Sequence, residues 1–569
     1  MLSVTKRKAA TMTTAIHFQS AIPFLGAQDG SLPASPVLSL PGLGNRLHVR
    51  WDPDAKVTPW GGLAHFAAFL GASGLFDRLV ADAPFSYSSP NAPDVRNVVG
   101  TMVLGILAGL TRYLHLERLR NDRVLPCLLG MSKVVSEASV RRALKKCDPD
   151  ALDAWLSRHS REVFEALLQM PWILDVDNTV KPVYGHQEGA EPGYNPAKPG
   201  RPSYNYHSYF IALVRLCLGV DVRRGREHAA RHGMPALWRF LDGLPKACWP
   251  RLLRGDVAYG SEETMLSAES RGISYLFKLR RSRGVRDLFR SLETSGDWKD
   301  AGDGWEGIDT TIRLDGWTHS RRCLLLRRPA KNPPKEEQAP RRRGRPPKSK
   351  TAPAAEQLEF ELLPGKKERC WDTQALVTRD IPLDMAALAQ LYRDRGDCEN
   401  NFDEYKNQWG WCGFVTKDLQ PTRAMARLIA LVANWWSIYA RLAEGDVHRE
   451  AVTTRPALMG VVARLVEGGR RTTVRLTSTH AGSSVIRDVL DAIGFFTEWI
   501  SATARQLEPK IRQMRPLYLL GQAEEVEEEA VAGDGFGGPA EASGGRVGGG
   551  GLDAVEPVED VLDGMPPQP

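Results

Sequence analysis

The sequence has few cysteines, eight in 569 residues, at positions 127, 147, 217, 248, 323, 370, 398 and 412, and no two of them form a C-x2-C pair. That scatter argues against a zinc ribbon and against a disulfide framework. A reducing cytoplasm is the compartment it fits. Long apolar runs are missing too. The best of them, around Val98 to Leu110, is shorter than a membrane span and broken by glycine, so no membrane partner is expected. The opening MLSVTKRKAA has basic residues but no sustained apolar stretch with a cleavage site, so no signal peptide is expected.

What is present is a globular composition, 42% hydrophobic and 25% charged, on a chain long enough for two to four domains. The net charge of +7 is unevenly placed. From Gln522 onward there are twelve Asp or Glu and one Arg, which leaves 74 basic and 56 acidic groups, a net +18, in residues 1–521. A basic body with an acidic tail points to a polyanionic partner, and nucleic acid is the most natural one.

The most informative stretch is LYRDRGDCENNFDEYKNQWGW, Leu391 to Trp411, in which Tyr392, Arg395, Glu399 and Lys406 follow Y-x2-R-x3-E-x6-K. On a continuous helix the first three fall at i, i+3 and i+7, and Lys406 returns to that face two turns later. A carboxylate flanked by two cations and a phenol suits metal binding beside phosphate binding. A solvated amphipathic helix would carry the same charges. Two further acidic segments change the balance. In PWILDVDNTVKPVYG, from Pro171, Asp175 and Asp177 alternate with Leu174 and Val176 on a predicted strand and so share a face. Carboxylates on an apolar strand are costly unless paired or metal-bound, although Asp and Asn also hydrogen-bond the backbone of turns at strand ends. In WPRLLRGDVAYGSEE, from Trp249, Asp256 follows Leu252 and Leu253 at the end of a predicted buried strand.

Together these segments resemble the DDE transposases of bacterial insertion sequences, in the group with the YREK signature. The surroundings of the two aspartates are similar to the thirteen-eighty branch of the family-four superfamily. By motif the resemblance runs from Leu174 to Trp436. It implies Asp177, in Asp177-Asn178-Thr179, as the first catalytic and metal-binding acid, with Asp175 as the alternative. Asp256, in Arg254-Gly255-Asp256, would be the second and Glu399 the third. The implied fold is α/β: a ribonuclease-H-like catalytic core with an inserted mainly β domain. The three carboxylates would bind two divalent ions, Mg2+ or Mn2+, which suit hard oxygen ligands. Tyr392, Arg395 and Lys406 would grip terminal phosphates. Trp409 or Trp411 would stack on a displaced base, unless they simply pack a core. The implied reaction is cut-and-paste transposition, in which water frees a 3′-hydroxyl at the element end and that hydroxyl attacks target DNA. The implied partners are the terminal repeats, the target DNA and a second copy in a synaptic homodimer, in the bacterial cytoplasm at the nucleoid.

Residues 1–50 read as irregular, 51–170 as a helical DNA-binding region, and 171–280 as the first part of the core. Residues 281–385 read as the inserted β domain, 386–445 as the second part of the core with the Glu helix, and 446–521 as a C-terminal helical region. Residues 522–569 read as a disordered acidic, Gly-rich tail. Within the helical region SEASVRRALKKC, from Ser136, reads as a capped helix whose Arg141 and Arg142 meet DNA phosphates, or as a basic surface helix. Within the inserted domain 329–353 reads as a basic linker. Its Arg343-Gly344-Arg345-Pro346 resembles an AT-hook core, with both arginines in a minor groove, or belongs to a flexible linker without base preference. Two other classes compete. A catalytically inactive, transposase-derived DNA-binding regulator would keep the basic helices and lose an acid. A glycoside hydrolase would use two carboxylates without needing the cations.

Overall fold

The computed structural model describes residues 38–41 and 46–477, apart from 51, 53, 165–166, 196, 295, 331–370, 380, 445–447 and 469–470. Arg343, Arg345 and the acidic tail lie outside the described residues. The first elements are β1 (Leu38–Pro41), β2 (Arg46–Val49) and β3 (Val57–Thr58), then α1 (Leu63–Ser73), α2 (Leu75–Ala81), α3 (Val95–Leu107), α4 (Leu125–Leu128), α5 (Glu137–Lys146) and α6 (Pro149–Phe164). Strands follow: β4 (Ile173–Pro182), β5 (Glu191–Pro192), β6 (Pro202–Ile211) and β7 (Leu216–Arg224). Next come α7 (Met234–Asp242), β8 (Leu252–Gly255), α8 (Glu262–Glu269), β9 (Ser274–Lys278) and α9 (Arg283–Leu292). Strands β10 (Lys299–Asp300), β11 (Glu306–Ile312), β12 (Arg321–Pro329) and β13 (Trp371–Thr378) precede α10 (Met385–Arg393) and α11 (Asp397–Asp403). The described chain closes with α12 (Leu419–Glu444), α13 (Ala451–Met459), β14 (Ala463–Gly468) and β15 (Arg471–Leu476).

The chain divides into two units. Among the described residues, the first lies within 1–163, 180–204 and 401–477, and the second within 164–179 and 205–400. In the first, the 26-residue α12 is the main apolar helix. Its Trp436 and Tyr439 lie 5.3 and 5.2 Å from the Phe66 ring of α1, and Trp436 Nε1 donates to Thr454 Oγ1 of α13 at 2.9 Å. Buried indoles and phenols of this kind carry large apolar area while their polar ends find partners. Among the described residues no single helix is long and apolar enough to cross a membrane.

The large sheet has strand order β10-β11-β12-β13-β9-β8-β4-β6-β5, with β7 paired to β6, and its strands β7 to β13 belong to the second unit. The neighbours β4, β8 and β9 run parallel, whereas β13 returns antiparallel beside β9. Their residues are near-continuously buried, as strands covered on both faces require. One core joins Ile173, Leu252 and Leu276 of the parallel strands to Leu324, Leu326 and Leu376 of the later strands and to Leu388 of α10.

Strand β4 runs unbroken through Asp177 to Pro182, so Asp177 is not in a strand-end turn. The chain turns between β6 and β7 at residues 212–215, where Leu213 and Arg215 take φ of 71° and 57°. Strands β10 to β13, where an inserted β domain is expected, continue the core sheet: β13 hydrogen-bonds directly to β9, and Leu324, Leu326 and Leu376 share the same core.

Candidate active site

Register places the two aspartates. In the parallel pair β4–β8, Asp175 stands opposite Arg254 and Val176 opposite Gly255. Asp177 and Asp256 each follow the last pair by one residue, and their charges interact. Side chains alternate along a strand, so Asp175 and Asp177 share one face of β4, and Arg254 meets Asp175 there. On the other face Gly255 leaves room for its neighbours: a Cβ there would sit 3.0 Å from Val176 Cγ2 and 3.1 Å from Phe277 Cδ1.

Asp175 is committed elsewhere. It is 1% exposed, and Arg254 grips it bidentately, Nε to Oδ1 at 2.6 Å and Nη2 to Oδ2 at 2.7 Å. Arg254 also donates to the Leu391 carbonyl at the end of α10. This buried fork ties β4, β8 and the YREK segment together. Sequence reading singled out Arg254 only as part of a motif, and its structural partner was not legible.

Asp177, 7% exposed, accepts from Arg395 Nη1 at 2.7 Å and from the Asn178 N–H at 2.7 Å. Burial pushes its pKa up to about 6; the Arg395 charge opposes that shift and the Asp256 charge adds to it. Burial also disfavours the Arg395 cation, but Asp177 and Tyr392 hold its pKa above the ordinary value. Asp256 is half-buried and accepts the Ala258 N–H at 2.9 Å in a turn closed by the Tyr259 N–H on the Asp256 carbonyl. The Arg395 guanidinium lies 5.8 Å from the centre of the Tyr392 ring, and burial pushes the Tyr392 phenol up to about 12. Lys278, at the end of β9, is half-buried; burial and then the Arg395 charge lower its pKa, against Asp256. Sequence reading missed Lys278, which ends an ordinary strand pattern.

The YREK segment is not one straight helix. After α10 come a 3-10 turn at residues 394–396, α11, and a π-helical turn at residues 404–408. The turn changes phase between Arg395 and Glu399, so i, i+3, i+7 spacing no longer guarantees a shared face. Arg395 reaches Asp177. On α11 Cys398 is the buried position and Glu399 is exposed. Among the described residues no group of three His, Cys, Asp or Glu stands ready to hold a metal. The structure thus brings together Asp177, Asp256, Tyr392 and Arg395. Two neighbouring carboxylates, one of them buried and raised by the charge of the other, are a donor set that fits a divalent cation.

The remaining sequence candidates among the described residues lie in the first unit. Lys406 Nζ is 6.0 Å from the Phe402 ring centre. Trp409 and Trp411 are 2% and 1% exposed. Trp409 donates to Glu404 Oε1 at 3.2 Å and lies 4.4 Å under Arg455, and Trp411 donates to the Ala426 carbonyl at 3.0 Å. The expectation of a base-stacking tryptophan is thereby corrected, because both indoles are packed in a core with their N–H groups satisfied. Glu404, which sequence reading passed over among four acids, is buried, with His448 Nε2 at 2.8 Å and the Ala451 N–H at 3.1 Å. On α5, capped by Ser136, Arg141 pairs with Glu137 at 2.5 Å, while exposed Arg142 donates back to the Ala138 carbonyl.

The parallel strands, with Asp177 within β4 and Asp256 just past the end of β8, define an α/β protein with an acidic site beside an arginine. Residues 168–435 match the transposase DDE domain family, and that span contains Asp177, Asp256, Arg395 and Glu399. Among solved structures the chain is similar to the piggyBac transposase in a synaptic complex with hairpin DNA, determined by cryo-electron microscopy. The two are 11% identical with a TM-score of 0.34 over 79% of this chain and 85% of that one, a likeness too distant to bear on fold or function. No curated protein matches.

Proposed function

We propose that the chain is a DDE transposase that cleaves the ends of a mobile element and joins them to target DNA. The observation that carries this reading is that Asp177 and Asp256, each one residue past the last β4–β8 pair, lie close enough for their charges to interact, inside the family match. The order β7-β6-β4-β8-β9, with β4, β8 and β9 parallel, supports a ribonuclease-H-like core. Asp177, Asp256 and Glu399 are the residues that would hold two Mg2+ or Mn2+ ions, which supply an activated water and stabilise the leaving oxygen of a phosphodiester. Arg395 and Tyr392 sit beside the aspartates, where a guanidinium fork binds phosphate oxygens and a phenol donates to them. Lys406, Arg141, Arg142 and, outside the described residues, Arg343 and Arg345 are further candidates for phosphate binding. The working assembly is a homodimer joining two element ends, in the bacterial cytoplasm.

A specific observation favours a second reading, a transposase-derived regulator that binds DNA without cutting it: Glu399 is exposed, and no three-acid cluster occurs among the described residues. The test is incubation of the full chain with labelled element-end DNA and Mg2+ or Mn2+. Metal-dependent nicking is expected. Tight binding with no nicking would replace the transposase reading with the regulator.

A further inference from the structure

Strand β13 outruns the core strand beside it. Strand β9 ends at Lys278, opposite Leu376; the Leu279 N–H still bonds the Ala375 carbonyl at 2.8 Å, and Arg281 Nη2 reaches Thr373 Oγ1 at 2.6 Å. At about 3.3 Å per residue, Trp371 lies about 16 Å beyond Leu376 along the strand. That overhang projects from the same C-terminal edge of β8 and β9 that carries Asp256.

A cavity of about 200 Å3 opens there, and its lining includes Arg281, Arg286, Arg290, Trp298, Arg327 and Trp371. Its wall is a stack of planar groups. The Phe289 and Trp298 rings lie 6.4 Å apart at 20°, and the Arg327 guanidinium sits 3.8 Å from the centre of Trp298 and 4.5 Å from that of Trp371. Glu306 holds Arg327 from behind at 2.9 Å. Both indoles are only half-buried, so the stack meets solvent. The segment that forms the other wall, KLRRSRGVRDLFR from Lys278 to Arg290, has six cations and one acid. Arg281, Arg286 and Arg290 are all exposed on it.

We propose that this cavity binds a single-stranded segment of DNA, with backbone phosphates on Arg281, Arg286 and Arg290 and one base against the Trp298–Arg327–Trp371 stack. The inference rests on the DNA-processing reading above. Cations that track a backbone beside exposed aromatic faces are the pairing that single strands need, because a duplex hides its base faces. The cavity is smaller than the sites that enclose whole small-molecule ligands, and suits one planar group entering from a longer chain.

The experiment measures binding of the full chain to a fluorescein-labelled mixed-sequence single strand, and to its duplex, by anisotropy across a salt series. Arg286→Ala/Arg290→Ala is expected to make the single-strand log–log salt slope shallower by about 1.4, about 0.7 for each phosphate left without its arginine. Trp298→Ala is expected to weaken single-strand binding about tenfold, with Trp298→Phe retaining most of it. Wild-type binding of single strands with slope and affinity unchanged in all three variants overturns the cavity and leaves the transposase reading standing. Wild type that binds neither DNA overturns both. An equal weakening for single strand and duplex also overturns the cavity, since it points to a general surface charge.

Discussion

At the residue scale, the Arg254–Asp175 fork is a buried structural pair beside the site. Arg254 and Asp175 are each about 1% exposed, and each leaves an uncompensated buried charge if the other is removed. Arg254→Met is expected to cost about 3–5 kcal/mol in urea unfolding, and adding Asp175→Leu is expected to recover much of that. If the single variant were as stable as wild type, the fork would not hold β4 against β8. Asp177 behaves differently, because its carboxyl is raised from 3.8 to about 6 in the fold. The native state therefore binds its proton more tightly than the unfolded chain does. Its contribution to stability is fully present below about pH 4 and is lost as pH rises through about 6, by up to about 3 kcal/mol. Metal-free wild type is thus expected to lose stability relative to Asp177→Asn across that window. Parallel stability curves for the two proteins would contradict the raised pKa.

At the element scale, the regular strands and the capped helices were legible from the sequence, and the phase of the YREK segment was not. Ile273 to Leu279 is a largely apolar run of strand length, and Ser136 before Glu137 is a local start signal; the structure has β9 and α5 there. Asp177 and Asp256 were both singled out, yet their adjacency depends on β4–β8 register, which no local pattern encodes. The 3-10 and π turns around α11 were invisible because they are imposed by tertiary contacts: Arg395 reaches Asp177, and Glu404 is drawn to His448 and the start of α13. The same contacts explain why Trp409 and Trp411 are packed inward. Trp411 lies 4.5 Å from the Tyr405 ring, so Trp411→Ala is expected to destabilise the protein by about 3–5 kcal/mol. The measurement is thermal unfolding beside the salt dependence of DNA binding. A changed salt slope with unchanged stability would return Trp411 to the DNA-binding residues.

At the scale of the whole molecule, the strands expected to form an inserted domain prolong the core sheet, from β9 through β13, β12 and β11 to β10. They share the buried cluster that seats α10, so the segment leading into the YREK turn rests on the sheet that carries both aspartates. The proposed function requires that Asp177, Asp256 and Glu399 act together in cutting DNA. The most direct test is nicking of labelled element-end DNA with Mg2+ or Mn2+, wild type beside Asp177→Asn, Asp256→Asn and Glu399→Gln, with DNA binding measured on every sample. The expected result is nicking by wild type and its loss in all three variants with binding retained. Full activity in any one of them would contradict the shared role, and Glu399→Gln, whose carboxylate is exposed on α11, is the variant that tests it hardest.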